Sequence, residues 1–214
     1  MKKILLALTG MLLASLACAL PGGLGGGPLF QDDFEGFDQT WGTGSDADSA
    51  VEYVDGGLNF QVFTPFYFVW SIANDEDYSN VHIDVTAKNS SIDSNAAFGV
   101  ICNEGIPDTN KYYFAITPNG QYAIARAAVA QDDFFLTGNN QWADSDLIPL
   151  NAASYQIGVD CGNGMLTLSV NGQQVASVND TTYTSGGVGL FAWSEEMSSG
   201  ANVTFDDFVV TQLK

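Results

Sequence analysis

The 214-residue chain offers few groups able to do chemistry: one histidine, three cysteines, 25 carboxylate side chains and a scatter of large aromatic rings. A nucleophilic hydrolase needs a base held beside its nucleophile. His82 occupies a polar position in an alternating segment, residues 81–87, and the chain has no Gly-x-Ser-x-Gly turn, so a serine hydrolase is excluded and His82 reads as a surface residue. Cleaving a glycosidic bond asks only for two carboxyl groups at the right separation across a cleft. With this many acids some pair always qualifies, and the densest clusters, Asp75-Glu76-Asp77 and Glu195-Glu196, fall in loop-like stretches and read as solvated. No residue is therefore assigned a catalytic role.

Binding a sugar asks for less: an aromatic ring to lie against the apolar face of a pyranose and polar groups for its hydroxyls. Tyr113, Tyr122 and Arg126 flank the Asn119-Gly120 turn and form the first candidate surface, with Trp70 and Trp142 as candidate extensions of it. If that turn has a two-residue loop, Tyr113 opposes Arg126 and Thr117 opposes Tyr122 on one face, while Phe114, Ile116, Ala123 and Ala125 take the core face.

The elements that must position these side chains are strands. Short alternating segments separated by Asn-Gly and Gly-Gly turns recur along the chain, and none carries a capped 3.6-residue stripe, so the fold class is all-β. Asp55-Gly56-Gly57 divides residues 51–54 from 58–63, and Asn163-Gly164 and Asn171-Gly172 divide 155–178 into three strands. About Asn163-Gly164, a two-residue turn sets Cys161 opposite Leu166, Val159 opposite Leu168 and Ile157 opposite Val170, all apolar. Asp160 and Thr167 meet on the other face. Phe98, Val100 and Cys102 share a face in the same way, as do Val81, Ile83, Val85 and Ala87. About a dozen such strands imply two stacked antiparallel sheets, a β-sandwich of jelly-roll type.

Lys2 and Lys3 precede an uncharged apolar run, residues 4–17, too short to span a bilayer comfortably and laid out as a secretory signal. Ser15-Leu16-Ala17-Cys18 resembles the bacterial lipobox, which implies a signal peptide over 1–18, a lipid on Cys18 and an extracytoplasmic protein held at a membrane by that lipid alone. Residues 19–28 are Gly/Pro-rich and read as a tether, leaving 29–214 as one domain. Cys102 and Cys161 are then the one pair available for a disulfide in an oxidising compartment, worth about 4 kcal/mol in the chain-entropy model. Two of the six basic residues lie in the leader, leaving four against 25 acids, so no cationic surface exists to bind nucleic acid. The acids serve solubility or attract cations such as calcium.

Phe30-Gln31-Asp32-Asp33-Phe34 with Trp41, the segment LTLSVNG (166–172) followed by Val178-Asn179-Asp180, the segment GGVGLF (186–191) and VTFDDFV (203–209) together resemble the concanavalin A-like lectin/glucanase sandwich. Within it, the chain is most similar to the laminin-G-like and 3-keto-disaccharide hydrolase (DUF1080-type) branch. The resemblance covers nearly all of 29–214 and rests on strand and turn motifs. It implies that the first and last strands are neighbours, which would bring Asp33 and Asp206 together as candidate ligands for a structural calcium, the one cofactor considered. The retaining glucanases of this fold carry a Glu-x-Asp-x-x-Glu strand, which no segment here has. The reading that follows is a lipid-anchored carbohydrate-binding module without its own catalysis. The alternatives are a glycoside or keto-disaccharide hydrolase using cleft carboxylates, or a structural, adhesive envelope protein.

Overall fold

The computed structural model describes residues 27–36, 40–105, 110–195 and 200–213. Cys18, the leader and most of the tether lie outside the described residues. Among the described residues the elements are sixteen strands and no helix. In chain order these are β1 (Phe30–Asp32), β2 (Gly44–Ser45), β3 (Ser49–Val54), β4 (Gly57–Val62), β5 (Phe68–Ile72), β6 (Val81–Asn89), β7 (Ala97–Glu104) and β8 (Asn110–Ile116). There follow β9 (Gln121–Ala128), β10 (Phe134–Phe135), β11 (Ala143–Asp144), β12 (Ser154–Gly162), β13 (Met165–Val170), β14 (Gln173–Asn179), β15 (Gly187–Trp193) and β16 (Ala201–Gln212).

The strands form two antiparallel sheets, as the alternation demands. One, the backing sheet, runs β14-β13-β12-β6-β16-β4-β3-β2 with β1 added beside β16; the other runs β10-β9-β8-β7-β15-β5 with β11 beside β9. Because β1 pairs with β16, Phe30 opposite Val210, the chain's first and last strands are neighbours. The turns explain the backing sheet's register. Asp55-Gly56, Asn163-Gly164 and Asn171-Gly172 all have positive φ at both central residues, the requirement of a tight type I′ hairpin. The pairs Cys161/Leu166, Val159/Leu168 and Ile157/Val170 form as expected.

Between the sheets lie Phe60, Phe98, Phe114, Tyr155, Phe205 and Phe208, all fully buried, with Val81, Ile83, Val85 and Ala87 of β6 beneath them. Cys102 on β7 and Cys161 on β12 join across this core in a disulfide, Cα to Cα 6.6 Å, so one covalent bond ties the two sheets together.

The β8/β9 hairpin departs from the expected register, with consequences for every side chain on it. Ile116 opposes Tyr122 and Tyr113 opposes Ala125, one residue out of step with a two-residue loop. Pro118 is the cause. Its ring holds φ near −65°, which suits the first central position of a type I turn and not of a type I′ turn. The loop therefore takes a longer form, with Gly120 at φ 91° and Gln121 N–H bonded to Thr117 Oγ1 at 3.0 Å. A slip of one residue turns a strand's side chains to the opposite face.

Candidate functional site

The slip separates the residues first grouped as a sugar surface. Tyr113 shares a face with Ala115, Ala123 and Ala125, whereas Tyr122 and Arg126 go with Phe114, Ile116 and Ile124 toward the other sheet. Arg126 has a structural role there. Its guanidinium donates to Asp180 Oδ2 at 3.0 Å and Thr182 Oγ1 at 2.8 Å and lies over the Phe134 ring. Burial alone would raise the Asp180 carboxyl, but hydrogen bonds from Thr182 and Tyr112, together with Arg126, hold it below its ordinary value. Tyr122 packs against the main core.

The outward face of the seven-stranded sheet, by contrast, gathers Tyr113, Trp70 and Trp142 into one trough of about 390 Å³. Cross-strand register shows how it is built. One row of opposed residues crosses five strands: Trp70 on β5, Phe191 on β15, Gly99 on β7, Ala115 on β8 and Ala123 on β9. Trp70, Phe191 and Ala115 of this row line the trough, whereas Ala123 is buried in the cluster against which Phe135 and Trp142 pack. Nothing larger than hydrogen fits at Gly99, where an added Cβ would overlap the Phe114 carbonyl and press on the Phe191 ring.

On one side of that row stand Phe68, Trp193 and Ala97, further along the strands. Trp142, from the segment between β10 and β11, lies parallel to Trp193, with ring centroids 6.0 Å apart and planes within 10°. Both indoles line the trough, and an indole face is an apolar surface of the kind that a pyranose accepts. On the other side, Tyr113 donates its hydroxyl proton to Asp133 Oδ2 at 2.9 Å. Burial, reinforced by the Asp133 charge, pushes the Tyr113 phenol well above its ordinary value, so it stays neutral. With its proton committed, the Tyr113 oxygen offers lone pairs, as does the carboxylate, and the pair is suited to accept hydroxyl protons from a ligand. Lys111 closes this side with its ammonium 4.2 Å from the centre of the Trp70 ring.

Sequence reasoning missed Phe68, Phe191, Trp193, Asp133 and the alanine floor. Strands β7 and β15 are buried on both faces, so their apolar residues run together and read as undivided core. A signal was present in β9, where Ala123, Ala125 and Ala127 alternate on one face.

The acidic pairs at the chain ends are occupied within the fold. Asp206 accepts from Lys88 Nζ at 2.7 Å, and Asp33 closes a turn on the Glu35 N–H. Neighbouring Asp32 accepts from the Trp41 indole at 3.0 Å. Among the described residues no group of three or more His, Cys, Asp or Glu is placed to hold a metal ion. His82 is on the outer face of the backing sheet, as expected of a surface residue, but is gripped there. Its ring nitrogens lie 2.6 Å from Asp160 and 2.9 Å from Asp84. Gly158 on the adjacent strand leaves the ring room.

No protein-family model matches the sequence, and no curated protein matches it. Solved structures do match in shape. The carbohydrate binding module CBM66 from Bacillus subtilis superposes with a TM-score of 0.61 at 12% identity, covering 81% of this chain and 96% of its own. The fold is that of the galectin-like jelly rolls. A Bacillus subtilis protein of unknown function with a galectin-like fold gives 0.62 at 13% identity, covering 88% and 97%. A Bacillus licheniformis beta-glucanase gives 0.60 at 12% identity, covering 88% and 99%. These likenesses agree with a concanavalin A-like sandwich, and at such identities they speak for fold alone.

Proposed function

We propose that this chain is an extracytoplasmic carbohydrate-binding module, anchored by a lipid on Cys18, that takes its ligand in the trough of the seven-stranded sheet and does no chemistry on it. The observation that carries this reading is the placing of the Trp142 and Trp193 indoles and the acceptor pair Tyr113 and Asp133 around a floor of Ala97, Ala115 and Phe191. An apolar platform facing a few convergent polar groups is what a pyranose requires. The fold supports it, since both a carbohydrate binding module and glucanases share this architecture. Among the described residues lining the trough, Asp133 is the one carboxylate, and glycoside hydrolysis works through two, so binding is favoured over cleavage. The narrower kinship with the laminin-G-like and keto-disaccharide hydrolase branch rests on the strand and turn motifs. The disulfide supports an oxidising compartment, and the leader followed by Cys18 supports the anchor.

A glycan array read with the wild type and with Trp142→Ala tests the site. We expect binding to neutral glycans that weakens at least tenfold in the variant while its melting temperature holds; an array on which the wild type captures no glycan overturns the reading. For the anchor, Cys18→Ser is expected to release the protein from the membrane fraction, and retention there overturns that part.

A further inference from the structure

Trp70 ends the floor of the trough and also begins something else. It stands on β5, the outermost strand of its sheet, which among the described residues pairs with β15 alone, so the floor row runs off the edge of the sheet with no strand to wall it in. Beyond that edge lies a second cleft of about 710 Å³, between β5 and the segment at residues 40–42, and Trp70 lines both. The second cleft is polar where the trough is apolar. Thr40, Asn74, Asp75 and Glu104 line it beside Trp41, and among the described residues no Lys or Arg joins them.

We infer that the ligand is a linear, uncharged oligosaccharide that lies across the strands of the trough, crosses Trp70 and continues into the cleft at the β5 edge. The inference rests on the trough being a sugar site and adds to it a ligand length, a direction and a charge class. Length comes from the register: five strands from β9 to β5 at roughly 4.8 Å per spacing give about 19 Å, room for about four pyranose rings. Direction comes from the lining of the trough, which crosses the strands from Ala127 on β9 through Ala115, Ala97 and Phe191 to Trp70 on β5. Charge class comes from the second cleft, where the exposed Asp75 carboxylate accepts protons from hydroxyls and repels a polyanion, in a chain of formal net charge −19. An exposed indole at the junction serves as the platform over which the chain bends from one cleft into the next; Trp70 is 38% exposed.

The test is calorimetric titration of the full-length protein with β-1,3-linked gluco-oligosaccharides of two to six units, and with oligogalacturonides of the same lengths as the anionic comparison. Affinity for the neutral series is expected to rise at least tenfold from two units to five and then level off, with the uronides at least tenfold weaker at every length. Thr40→Trp, which fills the second cleft, is expected to keep the disaccharide affinity within twofold and abolish the gain with length. Trp70→Ala, at an exposed position, is expected to flatten the length dependence in the same way. Affinity that stops rising at two units, a Thr40→Trp protein that binds the pentasaccharide like the wild type, or uronides bound as tightly as glucans would each overturn the inference while leaving the trough a sugar site. Absence of binding at every length, with the trough variant Trp142→Ala no different from wild type, overturns both.

Discussion

The clamped histidine makes a prediction whose size follows from the geometry. His82 is the chain's one histidine, and both its ring nitrogens face carboxylates. The hydrogen bond with Asp84 raises its pKa most, burial opposes this, and the bond with Asp160 and the two negative charges raise it further, so it is pushed up to about 9 from an ordinary 6.5. A folded-state value above the unfolded one means that the imidazolium stabilises the fold fully below about pH 6.5 and that the contribution is lost as pH rises through about 9. In a site closed to water a shift of this size would be worth about 3 kcal/mol, but the His82 side chain is 36% exposed and its partners 44% and 38%. Water and salt screen the pair, leaving about 1 kcal/mol, or roughly 2–4 °C in melting temperature for a domain of this length. Urea unfolding of the wild type should therefore lose about 1 kcal/mol between pH 6 and 9.5. His82→Gln should lack that slope, because a neutral amide does not titrate. Proton NMR reads the same event directly, as a single imidazole resonance whose midpoint is raised above the ordinary 6.5. A midpoint near 6.5, or a pH slope in His82→Gln equal to that of the wild type, refutes the reasoning.

Replacing Cys102 and Cys161 together by alanine opens a covalent loop with a sequence separation of 59 and should cost about 4 kcal/mol, measured by chemical denaturation against the oxidised wild type. Gly99→Ala forces a methyl against the Phe114 carbonyl and should destabilise the fold by about 1–3 kcal/mol, seen as a lower urea midpoint. Ala127→Leu places a larger side chain at a partly exposed position lining the trough; it should leave the melting temperature within about 2 °C and weaken glycan binding about tenfold, by calorimetry.

Local chemistry carried much of this fold in plain sight. Asn-Gly and Asp-Gly pairs that demand positive φ at two successive residues announce tight hairpins, and once a loop length is known the faces of both strands follow, as they did for β12 and β13. The same logic misread β8 and β9 for a reason equally local. Pro118 sits immediately before Asn119-Gly120, and its preset φ selects the longer loop. That proline is itself a sequence signal, and giving it its due weight is enough to part Tyr113 from Arg126.

The site itself had no such local signature. Phe68, Trp70, Ala97, Ala115, Ala127, Phe191 and Trp193 come from five strands spread over more than half the chain, and they meet through the spatial order β9-β8-β7-β15-β5, which brings residue 191 between 70 and 99. The amino-acid order by itself determined the sheet class, the inward faces of the backing strands and, through those faces and the count of cysteines, the disulfide, because turn preference and two-residue alternation act between near neighbours. Which outward face became a trough, how deep it is and which rings wall it were decided by tertiary structure alone. A cavity is a property of side chains set side by side through strand pairing, and the energy that selects one pairing order over another is summed across the whole core.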